Sequence, residues 1–337
     1  LSETLADRTQ TQSLGAYVVA CAFDAIGVAA FALGDGSLRL APADGGAWAT
    51  VAAHDGGVLA LAADVVGSGF VSGGDDGRFV RVGADGSVSE IAGFGSRWVE
   101  QVASVGAGKG ALLACSAGRD VHLFDAAGER LKSLAHPSTV TGIAFDARGK
   151  RVAASHYNGV SMWFTNATSP TPRFLEWKGS HIGVALHPAG EAVVSAMQEN
   201  ALHGWRLPGG EHMRMSGYPS KTEALGFTKN GRWLASSGSD AIIMWPFFGG
   251  GPTGKPPAEL APFEGNFVTR VACHPAMDMV AAGYKDGTVV LVDIGTKRVL
   301  PLTGLGSAVS ALAWSQDGGH LAFGSESGAA SLVRLGR

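Results

Sequence analysis

Charge is scarce in this chain. Only 16% of its 337 residues are Asp, Glu, Lys or Arg, and the formal net charge is −3. The 26 Lys and Arg residues are scattered without forming a stripe, which argues against a phosphate-tracking surface and against nucleic acid as a partner. Cysteine is scarcer still. Cys21, Cys115 and Cys273 are far apart and form no CxxC pair, so neither a disulfide framework nor a paired-cysteine zinc site is expected, and a reducing compartment is. Runs of Glu, Lys and Leu that favour helices are few. One apolar stretch, residues 16–34, is long enough to suggest a membrane span. It carries Asp24 near its middle, where a charge costs about 2.5–3.5 kcal/mol on insertion scales. It also breaks at Gly27 and runs into the turn Gly34-Asp35-Gly36, so it reads as two buried strands and no membrane partner is expected. The opening residues lack the basic start and apolar core of a secretory signal, and the expectation is a cytoplasmic protein. No HExxH or GxSxG pattern occurs, and no enzyme is expected.

Glycine and apolar residues are what the chain has in quantity. Fifty glycines accompany an apolar content of 46%. Glycine is disfavoured inside helices and belongs in turns and bulges, so this mixture points to short strands joined tightly. Residues 233–245 (WLASSGSDAIIMW), 151–163 (RVAASHYNGVSMW) and 69–82 (GFVSGGDDGRFVRV) share one design. Each is an apolar strand, a turn of small residues with Asp, Asn or Gly, and a second strand with a bulky end, which is a β-hairpin.

The hairpins recur. Bulky strand ends fall at Ala41, Val82, Phe124, Trp163, Trp205, Trp245, Val292 and Val333, at intervals of 41, 42, 39, 42, 40, 47 and 41. A second row ahead of each inner strand (His54, Gly95, His136, Trp177, Tyr218, Glu264, Leu305) has intervals of 41, 41, 41, 41, 46 and 41. The one long interval is produced by Pro246–Pro262, a Pro/Gly-rich insertion read as irregular. A period near 40–45 residues is the length of a four-stranded propeller blade.

The sequence resembles the WD-repeat family. Ala53-His54 and Ala135-His136 stand at its Gly-His position, and Phe124-Asp125 and Val292-Asp293 at its Trp-Asp position. Residues 144–149 (AFDARG) and 314–318 (WSQDG) match its first strand and following turn. The resemblance covers nearly the whole chain, although no single unit has the full pair of signatures. It implies an all-β, closed β-propeller of four-stranded blades forming a single domain over residues 1–337. Eight units are countable, at about 12–52, 53–93, 94–134, 135–175, 176–216, 217–262, 263–303 and 304–337, whereas seven is commoner in the family. The last unit stops after its third strand, so residues 1–11 are expected to close it by supplying the outer strand, which would remove open sheet edges.

The resemblance implies protein interaction or assembly as the function, without naming the partner. In the family the His ahead of the inner strand bonds the Asp of the same blade's central turn, a structural role open to His54 with Asp76. His136 lacks that partner, since Tyr157 stands at the corresponding position. Departures from the pattern cluster in the fourth to sixth units, where His156, Tyr157, Gln198 and Glu199 replace small turn residues. Trp177, Lys178, His181, Tyr218 and Lys221 precede inner strands there. In the family's geometry both loop types open on one face, so a protein-binding face is expected. Trp98, Trp177 and Tyr218 are its candidate anchors, and Arg97, His156, Lys178, Gln198 and Lys221 its polar contacts. His136, Tyr157, His181 and Glu199 complete the candidate set. Trp163, Trp205 and Trp245 are expected in the core. No cofactor is expected. The alternative is a metal- or ligand-binding propeller, possibly catalytic, with zinc held by His136, His156, His181 and Glu199 at the channel mouth. Residues 249–255 (GGGPTGK) fit GxxxxGK, but Pro256-Pro257 follows where a phosphate loop needs Ser or Thr and a helix. Asn166-Ala167-Thr168 fits a glycosylation sequon, with nothing else to indicate secretion.

Overall fold

Alternating small and β-branched residues between Gly- and Asp-bearing turns produce an all-β chain. A computed structural model describes residues 4–168 and 171–336. The start of the expected closing segment (1–3) and the final residue of the last unit lie outside them. Among the described residues there is no α-helix, and two three-residue 3-10 turns, Ala6–Arg8 and Gly108–Gly110, are the only helical elements.

Within a typical unit the strands pair antiparallel in chain order, as in Val18–Phe23, Ala29–Leu33, Ser37–Ala41 and Ala49–Ala52. Burial follows position. The second strand is covered on both faces by neighbouring sheets and is apolar throughout (AAFAL), whereas the fourth strand is largely exposed. Packing sheet against sheet explains why the middle strands read as continuous apolar runs instead of alternating. The apolar clusters lie between successive sheets. One joins Phe70, Val80 and Val82 of the second repeat to Leu38, Leu40 and Val51 of the first.

The last sheet takes its outer strand from the N-terminus, at a later register than expected. Thr9–Ser13, rather than residues 1–11, pairs antiparallel with Ala329–Arg334, placing Thr9 opposite Val333 and Ser13 opposite Ala329. The hydroxyls of Thr11 and Ser331 lie 2.7 Å apart across this pair. At the other edge of the same sheet, Ser310 Oγ donates to Val18 O of the first repeat at 2.5 Å.

The count of sheets differs from the expected eight. Among the described residues seven sheets are found, six of four strands and one of six. The fourth and fifth repeats share the six-stranded sheet because Arg173–Leu186, a 14-residue strand, runs from the fourth into the fifth, and it pairs with a second 14-residue strand, Arg151–Phe164, within the fourth. A straight strand of that length would span roughly 45 Å, yet Thr165 N donates to Lys150 O at 3.0 Å, so Arg151–Phe164 doubles back on itself. Asn158 (φ 67°) makes that turn in the left-handed region, where Asn is tolerated. Tyr157 remains paired with Ser180 across it, which ties the two repeats into one ladder. The Pro246–Pro262 insertion is also more ordered than its composition suggests, since Ala258–Leu260 forms the outer strand of its sheet.

Candidate interaction face

The turns between second and third strands meet the connections that lead from one repeat to the next, because both lie at the same end of the strands. In the second repeat His54 joins them. Its Nδ1–H donates to Asp76 Oδ1 (2.9 Å), and its Nε2 accepts from the Ser72 hydroxyl (2.9 Å). Asp76 also accepts from Asp55 N (3.1 Å), so one imidazole and one carboxylate hold three chain segments. This is the structural role expected for His54.

From the third to the fifth repeat the same end is joined by a succession of polar contacts. Arg97 Nη1 lies 3.4 Å from Asp120 Oδ2. His136 N donates to Arg119 O (2.9 Å), Tyr157 N to Ser138 Oγ (2.9 Å), Gly179 N to Asn158 Oδ1 (3.1 Å), and Ser180 N to Glu199 Oε1 (2.9 Å). These contacts bring Arg97, Tyr157, Lys178, Gln198 and Glu199, scattered over about a hundred positions of sequence, onto one sector. Trp98 is 55% exposed and Tyr157 58% exposed there. Arg97, Lys178, Gln198 and Glu199 are exposed beside them, and Lys221 is half-buried in an ion pair with Glu223 (3.4 Å).

Four candidates do not reach the surface. Tyr218 is buried, with its hydroxyl 2.6 Å from Ser236 Oγ while accepting from Trp245 Nε1–H at 2.7 Å. It is a core residue rather than an anchor, and burial pushes its phenol up to about 12. His136, His156 and His181 are buried too. Trp177 is only half-buried, because its ring stacks on His203 at 4.0 Å. The expected core tryptophans, Trp163, Trp205 and Trp245, are all buried.

The three imidazoles offered for zinc have both ring nitrogens occupied. His136 donates from Nδ1 to Arg119 O (3.2 Å) and accepts at Nε2 from Trp163 Nε1–H (3.0 Å). His156 donates to Tyr157 O (2.9 Å) and accepts from Ser161 Oγ–H (2.8 Å). His181 donates to Trp177 O (2.7 Å) and accepts from Ser195 Oγ–H (2.6 Å). A neutral imidazole has one lone pair to give a metal, and each is already committed. Burial is the main cause lowering all three imidazoles' proton affinity, with that of His136 falling to about 4. Among the described residues no group of three His, Cys, Asp or Glu side chains is placed to hold a metal ion. The GxxxxGK segment likewise closes on itself, since Lys255 Nζ donates to Phe248 O (2.6 Å) and Gly249 O (2.8 Å).

Two exposed aromatics on repeat-to-repeat connections escaped the sequence reading. Tyr17 (42%) and Phe263 (46%) lie in repeats whose pattern is otherwise ordinary. Phe263 stands next to Glu264 of the second anchor row, and that adjacency was the available signal.

The fold defines the class: the chain is a β-propeller. A solved structure of a computationally designed protein, Ika8, superimposes with a TM-score of 0.76 at 20% identity, covering 96% of this chain and 98% of that one. At that identity the likeness establishes fold alone. A family model described as the Anaphase-promoting complex subunit 4 WD40 domain matches residues 271–336. That match, over the C-terminal part of the chain, agrees with the repeat anchors in supporting a WD-repeat propeller. No curated protein matches the chain.

Proposed function

We propose that this chain is a non-catalytic interaction scaffold, a closed ring of eight four-stranded repeats in one domain, which binds a protein partner through the face carrying Trp98 and Tyr157. The observation that carries the binding reading is the exposure of those two aromatics beside Arg97, Lys178, Gln198 and Glu199, on turns braced to one another by hydrogen bonds. Interface anchors are typically aromatic or Arg side chains on a rigid frame with a polar rim. Buried Tyr218 and the three buried histidines have no part in that contact, and Trp177 acts as support.

The eight-repeat reading is supported by register within the six-stranded sheet. Residues 152–155 pair with 142–145, residues 159–162 with 173–176, and residues 181–186 with 193–197. Each long strand thereby serves as two strands of four-stranded repeats. Closure is supported by the N-terminal strand on Ala329–Arg334 and by the Ser310–Val18 hydrogen bond. Affinity purification from the native cell, comparing the natural chain with a Trp98→Ala/Tyr157→Ala variant, tests the face. Loss of a specific partner from the variant is the expected result, and an unchanged partner set would place binding elsewhere.

A further inference from the structure

At the opposite end of the strands, between the third and fourth repeats, lies a cavity of about 730 Å³. Leu112 and Trp163 form part of its lining, and two apolar side chains stand at it in the open: Leu131 is 50% and Phe164 65% exposed. Solvent-exposed apolar groups gathered around a concavity mark a binding groove more often than chance exposure does.

The charges are one-sided. Among the described residues Lys132, Arg148 and Lys150 line the groove and no Asp or Glu does, in a chain whose net charge is −3. Lys132 Nζ donates to Ala167 O (2.5 Å), bracing the loop after Phe164 against the third repeat. The side chains of Arg148 and Lys150 are exposed and make no ion pair among the described residues. The neighbouring Arg151 is different, being matched by Asp146 at 3.0 Å. One wall is the outer strand Arg130–Ala135, which pairs on one side with Asp120–Asp125 and, among the described residues, has no strand on its other side. Such an edge accepts an extended chain.

We infer that this groove binds an extended acidic peptide segment carrying one or two bulky apolar side chains. The apolar anchor would cover Leu131 and Phe164, and the carboxylates would meet Arg148 and Lys150. The lining favours a peptide over single-stranded nucleic acid, since a single exposed aromatic, Phe164, does not form a row of stacking platforms. The site is independent of the face proposed above.

The test uses the full chain and a fluorescein-labelled dodecapeptide of Asp and Glu with Leu and Phe at two central positions. Controls are the same peptide with Lys for its acids, the same peptide with Ser for Leu and Phe, and labelled oligothymidylate of equal charge. Saturable anisotropy change with the acidic–apolar peptide alone is expected. Affinity should fall about tenfold in Arg148→Glu/Lys150→Glu, where attraction becomes repulsion, and also in Phe164→Ser. All three side chains are exposed, so unchanged circular dichroism is expected, and Arg148→Gln/Lys150→Gln serves if the reversal disturbs folding. Trp98→Ala/Tyr157→Ala should bind the peptide normally, which separates this site from the other face. Absence of binding, equal binding of oligothymidylate, or affinity indifferent to these substitutions would overturn the inference.

Discussion

At the scale of single residues, buried imidazoles connect chain segments. His54 spans Asp76 and Ser72, and Asp76 in turn receives Asp55 N and Arg78 N. Removing the carboxylate by Asp76→Ala strands several donors, and the expected loss is about 1–3 kcal/mol, read from urea unfolding. A loss within error would mean water replaces the carboxylate at no cost. Burial, the largest cause in each case, holds the folded-state values of His122 and His136 near 4 and of His203 near 3, against an ordinary value of 6.5. Below pH 6.5 the unfolded chain therefore binds more protons than the folded one. Stability contributed by these groups is complete above that value and is lost progressively as pH falls through 6.5 towards 4. Urea midpoints should accordingly drop between about pH 7 and about pH 5, and His203→Gln should flatten the slope. Midpoints independent of pH over that range would contradict it.

Elements are held to their neighbours by close approach. Gly73, Gly283 and Gly324 each occupy the next-to-last position of a second strand, where an added Cβ would overlap the valine opening the next inner strand. Those partners are Val99, Val309 and Val18. Replacement by Ala should cost about 1–3 kcal/mol through overpacking. The Gly324 case is the informative one, because Val18 belongs to the first repeat and Gly324 to the last. If Gly324→Ala were neutral or stabilising while Gly73→Ala was costly, the two chain ends would not be packed as proposed. Removing residues 1–13 should bare the edge of Ala329–Arg334 and produce self-association by size-exclusion chromatography. A monomeric, equally stable truncated chain would refute that role.

For the whole molecule, closure distinguishes a ring from an open stack of repeats. An open stack loses stability in proportion to the repeats removed, since each touches only its neighbours. A ring whose last sheet needs the first strand has no free end to trim. A fragment ending at residue 216 should therefore be unfolded by circular dichroism, and the full chain should melt in one transition. A fragment with a cooperative melt of its own would break the single-domain reading. Two opposite ends of the same frame carry the two proposed contacts, the aromatic rim at Trp98 and Tyr157 and the cationic groove at Arg148 and Lys150.

Much of this was legible from residue order. The pairing of His54 with Asp76 was what the family resemblance implied, while the 41-residue spacing and the turn positions are periodic, and a periodic signal survives in one dimension. The core positions of Trp163, Trp205 and Trp245 followed for the same reason, as bulky residues ending third strands. Exposure was another matter. Tyr218 and Trp98 stand at comparable places near inner strands, yet one is sealed by Ser236 and Trp245 and the other is open to water. Whether a lone pair on His136 is free depends on Trp163, 27 positions away, and on a carbonyl of the preceding repeat. The merging of the fourth and fifth repeats, and the gathering of Lys132, Arg148 and Phe164 around one cavity, likewise depend on how sheets meet. Repeat, turn and strand are local and periodic properties that the residue order by itself determined. Which polar groups are spent inside and which side chains face solvent was decided only by the packing of segments distant in the chain.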